Sequence, residues 1–111
     1  MYDLVISGGD SFTFGAELQT DNSVNPNPNS WANLVAQRIG KHHVNVARSG
    51  RSNSYIVRHI LFEIQSAFEK NISADKIFVQ VMWTFTDRHE FAIGVPTGEY
   101  DSPWMYLTPY S

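Results

Sequence analysis

Residues 76–83 read "KIFVQVMW", apolar at nearly every position and rich in β-branched and aromatic side chains. The run is too short to cross a membrane, and it lacks the alternation of a sheet with one wet face. It reads as a strand covered on both faces, which is how strands of parallel sheets are packed between helices. Upstream, Ile56, Ile60, Leu61, Ile64 and Phe68 recur at helical spacing and predict a helix over about 54–69 with that stripe buried. "HVNVA" (43–47) alternates as a strand does. "WANLVAQRIG" (31–40) predicts a shorter helix, capped by Asn29 or Ser30, burying Trp31, Leu34, Val35 and Ile39, and stopped at Gly40. The Asn- and Pro-rich stretch "TDNSVNPNPNS" (20–30) is a loop, and "LVIS" (4–7) is a first strand ended by Gly8-Gly9.

The order is therefore β-loop-α-β-α-β, followed by residues 84–111, where signals are weak. Such alternation implies a parallel sheet with right-handed crossovers and helices on both faces. In these sheets functional residues gather beyond the carboxyl ends of the strands. Three loops qualify: Gly8–Gly15, Ala47–Ser54 and Thr84–Glu90.

Composition narrows the classes. A chain of 111 residues with 42% hydrophobic and 14% aromatic content is one folded domain, with a core over 3–91 and an aromatic, Pro-containing tail over 92–111. A formal charge of −3 gives no footprint for nucleic acid or an anionic membrane. There is no cysteine, hence no disulfide and no thiolate chemistry. No apolar run has the length of a membrane span and the first residues do not read as a signal peptide, so a soluble protein is expected, with the compartment left open. No two histidines have helix-face ligand spacing and the acidic residues are scattered, so neither a metal nor another cofactor is expected.

The first loop, "GGDSFTFG" (8–15), places Ser11 where a strand meets a turn. An acyl-transfer serine needs a base and donors for the developing oxyanion. The backbone N–H groups of Ser11 and Gly50 lie in loops after neighbouring strands, and Gly50 lets a ligand approach the backbone. Asn53 offers an amide donor. From these residues alone the glycines need be no more than a tight turn, with Asp10 and Ser11 capping the next segment. Among the histidines, His42 and His43 are expected to be exposed at the amino end of the second strand. His59 lies on the long helix. His89 alone follows a strand at its carboxyl end, a candidate base that Asp87 or Glu90 would orient.

"GGDSFTFG" resembles the first block of the SGNH/GDSL hydrolase superfamily, whose Gly-Asp-Ser serine is the nucleophile. "NVARSGRSN" (45–53) is similar to the second block, whose glycine lends an N–H to the oxyanion hole, and "SWANLVAQRIG" to the helix between them. "VMWTFTDRHEF" (81–91) resembles the third-strand region of phage-encoded members, with a Trp-Thr pair and a following Arg. The resemblance spans residues 4–91 in order. It implies a three-layer α/β/α fold with a parallel, flavodoxin-like sheet of order 2-1-3, incomplete relative to the full family fold. It implies Ser11 as nucleophile beside Asp10, Gly50 and Asn53 at the oxyanion hole, and Thr84 where the family has an Asn.

The family's Asp-x-x-His block has no counterpart here, which implies a chain stopping before it. The expected activity is hydrolysis of a small ester or an acetylated glycan. The alternative is a catalytically degenerate member serving in structure, assembly or ligand binding, in a bacterial cytoplasm or a virion. The apolar third strand is expected to be covered by the aromatic tail (Phe91, Tyr100, Trp104, Tyr106, Tyr110) or by another chain, a homo-oligomer among the options.

Overall fold

A computed structural model describes residues 1–19, 24–92, 94 and 104–107, with only the backbone of 106 and 107. Strand β1 (Tyr2–Gly8) is followed by the short helix α1 (Ser11–Phe14), helix α2 (Trp31–Ile39), strand β2 (Gly40–Asn45), helix α3 (Asn53–Glu69) and strand β3 (Ile77–Val81). The strands form a parallel sheet of order β2-β1-β3. Leu4, Val5, Ile6 and Ser7 of the central strand pair with His42–Asn45 on one side and Ile77–Gln80 on the other. The fold is thus a compact α/β domain whose three parallel strands run in the order 2-1-3.

The strand buried on both faces is β1, where every residue from Leu4 to Gly8 is buried. The expectation placed that environment on "KIFVQVMW", and this is corrected: β3 lies at the sheet's edge and is only half-buried, with Val79 exposed. Ile77 and Val81 pack on the core while the outer edge of β3 pairs with no strand among the described residues. High apolar content marked a strand flanking the core, not its centre.

The core lies between the sheet and α3, built from Leu4, Ile6, Val46, Tyr55, Ile56, Ile60 and Ala67. Helix α3 is N-capped by Ser52, whose side chain accepts from Tyr55 N. Just past its end, Asn71 takes the left-handed conformation, with Ile72 N donating to Ala67 O at 3.0 Å; Ile72 then folds back against the core. Two of the stripe residues expected inside, Leu61 and Phe68, are exposed; Tyr55 and Ala67 take the buried places.

Helix α2 is corrected likewise. Its buried residues are Ala32 and Ala36, whereas Leu34 and Val35 are exposed. Small side chains let the helix backbone come close enough for Gln80 Nε2 to reach Ala32 O at 2.9 Å. Gly40 is extended and opens β2, which begins earlier than expected.

Residues 92–111 were expected as a tail. Strand β4 (His89–Ala92) instead pairs antiparallel with β5 (Trp104–Leu107) in a separate two-stranded sheet. That sheet is tied to α3 by a bidentate ion pair, Arg58 Nε and Nη2 to Glu90 at 3.1 and 2.9 Å, and Arg58 lies 4.2 Å over the Trp104 ring. Of the tail aromatics, Phe91 and Trp104 lie on this strand pair. Tyr100, Tyr110 and the Tyr106 side chain lie outside the described residues. Among the described residues no helix is long and apolar enough to cross a membrane.

Candidate functional site

The chain leaves β1 for α2 and β2 on one flank, then crosses by α3 to β3 on the other. The switch in strand order therefore falls beside β1, and the loops after all three strands meet there. Backbone bonds continue past the strands: Met82 N donates to Gly8 O at 3.0 Å and Arg48 N to Gly9 O at 3.4 Å. Gly9 sits so tightly that a Cβ would fall 2.2 Å from Thr13 Oγ1.

Asp10 is the N-cap of α1; its Oδ1 accepts Phe12 N at 3.1 Å, which fixes the turn presenting Ser11. Its Oδ2 accepts the Thr84 hydroxyl at 3.1 Å and lies 3.8 Å from Arg88 Nη1. Arg88 Nη1 also donates to Thr84 Oγ1 at 2.7 Å. Asn53, the first residue of α3, brackets Thr84 from the other side: Thr84 N donates to its Oδ1 at 2.8 Å and its Nδ2 donates to Thr84 O at 3.2 Å. Asp10, Asn53 and Thr84 are thereby brought into one network.

The roles differ from those the sequence implied. The single hydroxyl proton of Thr84 goes to Asp10, so it does not serve as the oxyanion donor that replaces the family's Asn. Asn53 spends its carbonyl and one amide proton on holding the third loop. Gly50 lies in the second loop with φ +73°, a conformation that favours glycine, and nothing stands within 4 Å of where its Cβ would be. Ser11 is half-buried at the start of α1. Neither Ser11 N nor Gly50 N meets an acceptor among the described residues.

No base contacts Ser11 among the described residues. Its hydroxyl makes no hydrogen bond among the described residues. His89 is exposed on β4 and its ring makes no hydrogen bond among the described residues; Glu90, expected to orient it, belongs to Arg58 with its side chain only 2% exposed. Asp87 is exposed on the loop. His59 stacks on Tyr55 with ring centroids 4.1 Å apart, and His42 lines a crevice of about 260 Å³ at the opposite, amino end of the sheet, with Asp3, Val44, Glu63 and Lys70.

The Ser–His hydrogen bond that the described residues do contain lies elsewhere. Ser7 Oγ is 2.7 Å from His43 Nε2, and His43 Nδ1 is 3.3 Å from Asn33 Oδ1. Gln80 Nε2 donates to the same Ser7 oxygen at 2.7 Å. Since Asn33 Oδ1 accepts only, His43 carries its proton on Nδ1 and receives the Ser7 hydroxyl at Nε2. Burial pushes the His43 pKa below its ordinary value. Ser7 is 0% exposed, so this chain of bonds holds the sheet to α2 and meets no substrate. The expectation that His43 is exposed is corrected. Strand alternation was the available signal, because it sets Ser7, Gln80, His43 and Asn45 on the face covered by α2.

Among the described residues no group of three or more potential ligands could hold a metal ion. No protein-family model, curated protein or solved structure matches this chain.

Proposed function

We propose that the chain is a serine ester hydrolase of the SGNH/GDSL type, acting on a small ester or an acetylated glycan with Ser11 as nucleophile. The observation that carries this reading is the pair of backbone N–H groups, Ser11 N and Gly50 N, in adjoining loops at the strand-order switch and without acceptors among the described residues. Ser11 Oγ attacks the ester carbonyl carbon, and the carbonyl oxygen takes the displaced electron pair between the two N–H donors. Collapse of that intermediate expels the alcohol and leaves an acyl-serine, which water then hydrolyses. The proton from Ser11 passes to a base outside the described contacts of Ser11.

A second reading is a degenerate member of the same family that binds a ligand or serves in assembly. It is favoured by the Ser11 hydroxyl having no base in contact among the described residues. Incubating the chain with a fluorophosphonate and a short-chain aryl ester, wild type beside Ser11→Ala, separates the two. Adduct formation and turnover that vanish in Ser11→Ala support the hydrolase; an inert wild type supports the degenerate reading.

A further inference from the structure

Arg88 is the residue of this end of the sheet that the hydrolase reading leaves without work. It comes from the third loop, its side chain is 14% exposed, and its guanidinium lies 5.1 Å over the Phe85 ring. From there Nη1 reaches two groups at once, the Thr84 hydroxyl at 2.7 Å and the Asp10 carboxylate at 3.8 Å. Its Nε is buried with no hydrogen-bond partner among the described residues. An arginine placed only to satisfy its own donors would not leave that one unpaired. Such orphans call for an explanation in what the rest of the group is held to do.

What it is held against is the cap of the helix that begins with Ser11. Asp10 has two oxygens with separate tasks: Oδ1 receives Phe12 N and sets the first turn of α1, and Oδ2 faces Thr84 and Arg88. Rotation of the carboxylate about its own bond would move both together. Arg88 and the Thr84 hydroxyl fix that rotation, and Asn53 fixes Thr84 by both backbone atoms. The chain of constraint runs from the third loop through Asp10 to the backbone on which Ser11 stands.

We infer that Arg88 is a positioning residue for Ser11, acting through the Asp10 carboxylate. This rests on the hydrolase reading. The test is a double-mutant cycle on the second-order rate of Ser11 modification by a fluorophosphonate, with thermal unfolding recorded for each variant. Arg88→Gln and Asp10→Asn should each slow modification by about 10-fold or more, and the double variant should be no slower than the slower single. Arg88→Lys, which restores the charge, should regain part of the rate.

Where Arg88→Gln fails to fold, Thr84→Val cuts the link between the two charges and should itself slow modification. Wild-type rate in Arg88→Gln, or two single effects that multiply in the double variant, would overturn the role while leaving the hydrolase reading standing. No modification of the wild type at all would overturn both.

Discussion

Ser7 and Ser11 stand at the end of one strand and in the turn just after it, and they are provided for in opposite ways. Ser7 has a histidine accepting its hydroxyl at 2.7 Å, a donor in Gln80 and an asparagine behind the ring, but no solvent. Ser11 has partial exposure, a fixed backbone and, among the described residues, two N–H groups nearby without acceptors and no base in contact. A hydrogen-bonded Ser–His pair is therefore not a mark of catalysis here. It is how a buried polar layer satisfies itself between the sheet and α2, where each unpaired group would cost about 1–3 kcal/mol. The face under α3 needs no such pairing because Leu4, Ile6, Ile56 and Ile60 fill it.

The contrast can be broken by substitution. The largest effect is expected from Ser11→Ala, which should abolish fluorophosphonate adduct and ester turnover while shifting unfolding by no more than about 0.5 kcal/mol, as for other half-exposed positions. Ser7→Ala should do the reverse. It strands His43 Nε2 and one Gln80 Nε2 proton, the other still held by Ala32 O, and should cost about 1–3 kcal/mol in urea unfolding, with the adduct rate of the folded fraction unchanged. Gly50→Ala has open space but the wrong backbone. The left-handed φ should cost about 1 kcal/mol, seen as a lower melting temperature, and Gly50→Asn should cost less.

The smallest effect concerns pH. Burial holds the His43 ring below its ordinary value of 6.5, so the unfolded chain takes up the proton more readily than the folded one. That contribution to stability is present above 6.5 and is lost as the pH falls below it. The ring is only partly buried, so the slope should stay well under the one-proton limit of about 1.4 kcal/mol per pH unit. Urea titrations across this range should show the slope in the wild type and its absence in His43→Gln.

The sequence made the α/β alternation legible because hydrophobic period and turn residues act locally. Ser52 and Ser30 cap helices as their type predicts, and Gly8-Gly9 closes β1. What it obscured depended on how closely elements far apart in the chain approach one another. Which helix face is buried follows from how near the helix comes: α2 turns Ala32 and Ala36 inward because only small side chains fit, so Leu34 and Val35 misled.

The strand β3 was read as covered on both faces because apolar content alone does not show how much of a strand is left at the surface. The pair β4–β5 is two four-residue strands separated by a long stretch, with too little periodicity to read. At the site, the Gly-Asp-Ser turn and Gly50 were legible. The meeting of Asp10, Asn53 and Thr84 was legible too, but the bonds among them and the place of Arg88 were not, since those bonds join residues as far as 31 and 74 positions apart. His43 was discounted from its place in the chain although alternation pointed it inward.

The claim that accessibility and backbone geometry, rather than a histidine partner, mark the reactive serine is tested most directly by locating the adduct. The intact chain is treated with a fluorophosphonate, digested, and the modified peptide fragmented in a mass spectrometer. The phosphonyl group is expected on Ser11, with none on Ser7. An adduct on Ser7, or no adduct on either serine, would contradict the claim.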